Sequence, residues 1–154
     1  MKGDKKVLSY LNQALKQELT AINQYFLHAK MYQHMGLKRL HEHEHHESID
    51  EMKHADKLIE RILLLEGLPN LQSLNKLLIG ESLPEGLKCD LEAERAARVT
   101  LVETIGICEQ ANDYVSRAMV NTILDETEQH IDFLETQVEL INKVGVENYL
   151  QSQM

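Results

Sequence analysis

A chain of 154 residues, 43% hydrophobic, can bury one sizeable core, so residues 1–154 are expected to form a single domain. Its 25 acidic against 16 basic side chains give a formal net charge of −9, which argues against nucleic acid as a partner and favours cations. No apolar run approaches the roughly 20 residues that span a bilayer, and Met1 to Lys6 lack a secretory core, so a soluble cytoplasmic protein with no membrane partner is expected.

Only two prolines and seven glycines interrupt the chain, and its apolar residues recur at three- and four-residue steps, which predicts an all-α fold. A first helix should start after Asp4 as N-cap and run to about His34, with Gly36 ending it. Its inward stripe reads Leu11, Leu15, Glu18, Ile22, Tyr25, Ala29. A second should run from about Arg39 to Glu66, stopped by Gly67 and Pro69, with Glu51, His54, Leu58, Ile62 and Leu65 on one face. Residues 68–83 hold two breakpoints, Pro69 and Gly80, with too little periodic sequence between them for another long helix. A connection of that length in a four-helix bundle is a crossover, which makes helices two and three parallel.

The third helix is predicted from near Pro84, aligning Leu87, Leu91, Glu94, Ala97, Leu101, Ile105 and Cys108. Cys89 and Cys108 then stand about 28 Å apart on one helix, too far to pair, and are expected to be ordinary thiols. A fourth helix, from about Asp113 to Lys143 with Gly145 as its cap, should bury Met119, Ile123, His130, Leu134, Val138 and Ile141. A short amphipathic tail, Val146 to Gln153, follows.

Glu18, Glu51 and Glu94 thus fall in apolar stripes of three different helices. A charged carboxylate in a bundle core costs several kcal/mol, about what burying two Leu side chains returns. Any one of them alone reads most simply as a stripe-edge residue or a partner of Lys or Arg. All three together with His54 and His130 read as a metal site. At about 100° per residue, positions i and i+3 lie within roughly 60°, so Glu51 and His54 can serve one pair of ions. One Glu from each of two helices, plus Glu-x-x-His from each of the other two, is the ligand pattern of di-iron carboxylate bundles.

The stretches MKGDKKV at the start, AINQYFLHA (Ala21 to Ala29), HESIDEMKHAD (His46 to Asp56), ERILLLEGLPNLQ (Glu60 to Gln72), DYVSR (Asp113 to Arg117) and ENYLQSQ (Glu147 to Gln153) span the chain. With them the sequence resembles a bacterioferritin, a haem-containing member of the ferritin-like superfamily. The resemblance implies a ferritin-like bundle, a hollow cage of 24 subunits, and a di-iron ferroxidase centre formed by Glu18, Glu51, His54, Glu94 and His130, with Glu51 as one bridge. In that family a second Glu bridge occupies position 127, where this chain has Thr127. Among its neighbours, Glu128 points roughly 160° away from His130 and Glu126 within about 40°, which makes Glu126 the stand-in.

The resemblance further implies haem b shared between two subunits, with Met52 as axial ligand. Met52 alone reads as core filler. His45, Ile49 and Met52 share a face at i, i+4, i+7, as do Leu19, Asn23 and Phe26, and these form the expected wall for a flat apolar cofactor. A bacterioferritin-associated ferredoxin is the implied electron donor for iron release, docking where Leu68, Pro69, Asn70 and Glu81 lie. His41, His43, His45 and His46, interleaved with Glu42, Glu44 and Glu47, read mostly as a solvated helix end, but His46 and Asp50 match an inner-surface iron site of some bacterioferritins. Tyr25 is a candidate electron donor and equally a core tyrosine. The expected function is iron storage and detoxification: Fe(II) oxidised by oxygen or peroxide and deposited as ferric mineral. The alternative is a haem-bearing, ferroxidase-impaired subunit of a mixed cage.

Overall fold

In a computed structural model, residues 1–154 form five helices and no strands. Helix α1 is Lys5–His34, and the Asp4 carboxylate accepts from the amides of Lys6 and Val7 at 2.8 and 3.0 Å. Helix α2 is Lys38–Leu64. It ends two residues before the expected Glu66, because Glu66 itself adopts the left-handed conformation (φ 62°) and the Gly67 amide closes back onto Ile62 O at 2.9 Å. Gly67 follows that turn rather than forming it; a Cβ there would strike Leu8 and Ile62.

Helix α3 is Leu83–Gln110, capped by Ser82 with Pro84 in its first turn, and α4 is Tyr114–Val144, capped by Asp113, whose carboxylate accepts from the Ser116 amide at 3.0 Å. Both cysteines lie on the unbroken α3 and are free. Gly145 (φ 84°) turns the chain into α5, Val146–Ser152, whose buried Tyr149 donates its hydroxyl to Gln137 Oε1 at 2.6 Å. The expected stripes are inward, although Ile22, Ile105, Met119 and Val138 are only half-buried.

The crossover, residues 65–82, has no regular structure, so its amides need partners elsewhere. A row on α1 supplies them at four-residue steps. Thr20 Oγ1 accepts from the Asn75 amide at 2.9 Å, Gln24 Oε1 from Leu78 at 3.0 Å and His28 Nε2 from Gly80 at 3.0 Å. Nearer the start of α1, Asn12 Oδ1 accepts from Asn70 at 2.9 Å. The segment therefore runs along α1 from its first turns to its last, and α3 begins at the end where α2 begins. Helices α2 and α3 are parallel, while α1 packs antiparallel on both and α4 on α3.

Two apolar clusters fill the bundle. One contains Leu11, Leu15, Leu58, Ile62, Leu101 and Ile123; the other contains Tyr32, Leu40, Leu83, Leu87, Leu134 and Tyr149. Between them all four long helices present charged and polar side chains to the interior. No helix is long and apolar enough to cross a membrane.

Candidate metal centre

Glu18 on α1, Glu51 and His54 on α2, Glu94 on α3 and His130 on α4 are all buried, and the fold brings them into one interior layer. His54 Nδ1 lies 3.4 Å from both Glu18 Oε2 and Glu51 Oε2. His130 Nδ1 lies 3.0 Å from Glu94 Oε1 and 3.4 Å from Glu47 Oε2. None of Glu18, Glu51 or Glu94 has a Lys or Arg partner; their charged neighbours are imidazoles. The Tyr25 hydroxyl donates to Glu94 Oε1, and its ring meets that of His130 edge-on at 5.4 Å. Tyr25 thus touches the constellation instead of only filling the core.

The environment raises the titrations of Glu18, His54 and His130, but for different reasons. Burial raises the Glu18 carboxyl above its ordinary range, with His54 partly offsetting it. Burial also works against charge on His54, but Glu18 and Glu126 outweigh it and hold the imidazole up to about 9. His130 is likewise raised: burial opposes its charge and Glu94 outweighs burial. Without metal, protons on the two imidazoles balance part of the carboxylate charge.

Thr127 is buried and its hydroxyl has no partner, and His130 Nε2 is also buried and unpartnered. Glu126, nearly half-exposed, contacts His54 through Nε2, the nitrogen facing away from Glu18 and Glu51. A cavity of about 690 Å³ opens on this layer, lined among others by His43, Glu47, Asp50, His54, Glu126 and His130. Carboxylate oxygens and imidazole nitrogens without thiolate suit iron in either common oxidation state, and the orphaned polar atoms fit a site completed by a ligand.

The His/Glu run at the start of α2 corrects the expectation of a mostly solvated helix end. His45 and His46 are exposed, but Glu44 is fully buried and His43 stacks on Phe133 with ring centroids 3.7 Å apart. Burial and the neighbouring charge of His130 push the His43 imidazole down to about 4. His46 Nε2 sits 3.5 Å from Asp50 Oδ2, and Asp50 lines the same cavity as His54 and His130.

The residues that sequence reasoning missed are Glu47 and a second buried group, His28, Glu44 and Asp90. Since His28 Nε2 accepts the Gly80 amide, its proton is on Nδ1, which donates to Asp90 Oδ1 at 2.8 Å, and Gln24 Nε2 donates to the same oxygen at 2.9 Å. Glu44 faces Asp90 with neither oxygen hydrogen-bonded, and burial together with that charge holds its carboxyl well above the usual range. Glu47 was legible: with Glu51 and His54 it stands at i, i+4, i+7.

On the outside, Met52 (56% exposed), Phe26 and Ile49 form a half-exposed apolar face of α1 and α2, edged by His45, whose ring centroid is 6.5 Å from that of Phe26. Leu68 is 84% exposed on the crossover, near Pro69 and Asn70, and Glu81 is exposed at its far end.

The Ferritin-like domain family matches residues 8–144. Bacterioferritin of Brucella melitensis is 48% identical to this chain, over 98% of it and 94% of the relative. Bacterioferritin of Mycolicibacterium paratuberculosis is 48% identical over 97% and 94%, respectively. Bacterial ferritin of Synechocystis sp. is 46% identical over 100% and 99%.

Proposed function

We propose, for a chain that belongs to the bacterioferritin family, that the buried layer is a ferroxidase centre serving iron storage in a cage of 24 subunits. The observation that carries this reading is that two imidazoles, each flanked by buried carboxylates, share Glu51 between them. Glu18 and His54 would hold one Fe(II), Glu94 and His130 the other, and Glu51 would span both. When two Fe(II) are bound, each yields one electron, and oxygen or peroxide takes the pair with two protons, leaving Fe(III) for the mineral.

The chain's own groups prepare this step. The Nδ1 atoms of His54 and His130 must give up their protons before they can bind a cation, so iron uptake is coupled to proton release. Tyr25, by donating to Glu94, fixes which carboxylate oxygen faces the site and stands within reach as an electron donor. On the outside, Met52 fits a haem b ligand, since its thioether is exposed among apolar side chains and two copies of this face could enclose a flat apolar ring. A ferredoxin docked at Leu68, Pro69, Asn70 and Glu81 would then return electrons through the haem for iron release. Exposed His46 and half-buried Asp50 would take iron on the inner surface.

Thr127, buried with an unpartnered hydroxyl, favours a second reading, a haem-bearing subunit that relies on other subunits of a mixed cage for oxidation. One experiment separates them. The purified cage should oxidise about two Fe(II) per chain in a fast phase, abolished in His54→Ala, at a rate within about tenfold of Thr127→Glu. No fast phase until Thr127→Glu is introduced would favour the mixed cage. The spectrum of the same preparations tests the haem, whose Soret band should vanish in Met52→Leu.

A further inference from the structure

We propose that Glu47 supplies the carboxylate that position 127 lacks, ligating the ion held by His130, while Glu126 acts only through the imidazole of His54. This rests on the reading of the layer as a two-ion site and assigns its missing ligand.

The two nitrogens of an imidazole point to opposite sides of the ring, so each can serve one ion or one support. At His54, Nδ1 faces Glu18 and Glu51, whereas Glu126 is on Nε2. An ion between Glu18, Glu51 and His54 Nδ1 therefore has Glu126 behind the ring. That is the place of a carboxylate that orients a metal-bound histidine.

At His130 the Nδ1 side carries Glu94 and Glu47, and the far nitrogen is unpartnered. Ligand-competent atoms of Glu47, Glu51 and His130 all lie within 4.8 Å of one another, as do those of Glu18, Glu51 and His54. The two sets meet only in Glu51. Thr127 contributes a hydroxyl with no partner on the α4 side, and α2 fills the deficit with a residue one turn before Glu51.

Charge supports the same assignment. Two Fe(II) bring four positive charges into a buried layer where net charge is costly. Glu18, Glu51 and Glu94 offset three, and Glu47 offsets the fourth. Its side chain is 16% exposed and lines the 690 Å³ cavity, so it borders both the cavity and the buried layer.

The test is binding of Co(II) to the assembled protein, followed by its visible ligand-field absorption and by calorimetry. The natural chain should bind two Co(II), Glu47→Gln should bind one or lose at least tenfold in affinity for the second, and Glu126→Gln should keep both. Thr127→Glu in the Glu47→Gln background should restore the second ion, which guards against a simple folding defect. Two unchanged ions in Glu47→Gln would overturn the role of Glu47 while leaving the two-ion reading in place. Loss of an ion in Glu126→Gln with none lost in Glu47→Gln would make Glu126 the ligand. Failure of the natural chain to bind two would remove the reading beneath the proposal.

Discussion

His54 carries carboxylates on both ring nitrogens, and this sets how the metal-free protein responds to pH. Its imidazole is raised from the ordinary 6.5 to about 9, so the stabilisation from its charged form is fully present below pH 6.5 and lost as pH rises through 9. An ion at Nδ1 has to displace that proton. At pH 7.5 Co(II) uptake should therefore release about one proton per His54, falling toward none above pH 9, as measured by calorimetry in buffers of different ionisation enthalpy. Release that does not vary with pH would contradict the assignment of His54. At this scale, Glu18, Glu51, His54, Glu94 and His130 stood out in the sequence because each is polar in an apolar stripe. Glu47 is marked only by its i, i+4, i+7 spacing with Glu51 and His54, and Glu44 by nothing, because it is hidden in a run of His and Glu that has no apolar stripe of its own.

Helix ends were legible where a residue type marks the turn, as at Asp4, Pro84, Asp113 and Gly145. The end of α2 was not, because nothing in the type of residue 66 announces a left-handed glutamate. The crossover was recognisable as a connection, but not its path, since its amides bond to α1 side chains more than fifty residues away. Gly80 shows how tightly that path is held: a Cβ there would collide with the backbone of Glu85 and Gly86. Gly106, mid-helix in α3, has nothing within 4 Å of such an atom. Gly80→Ala should cost about 2 kcal/mol or more, whereas Gly106→Ala should gain about 0.5–1 kcal/mol, as read by urea denaturation.

For the whole molecule, the exposed apolar residues fall on several faces of the bundle. Met52, Phe26 and Ile49 occupy one face, Leu63 and Leu64 project near the end of α2, and Tyr114 and Val115 stand at the start of α4. Such faces suit the subunit interfaces of the proposed cage. Their pairing was not legible, since an interface patch carries no periodicity in one chain. The row of Thr20, Gln24 and His28 has a consequence for how the bundle opens. Asn75, Leu78 and Gly80 belong to no helix, yet their amides are tied to side chains on a helix that also faces α2 and α3. They cannot be freed by local fraying. Hydrogen exchange should find these three amides protected to the level of the α1 core, so that the least regular segment of the chain reports the separation of its helices.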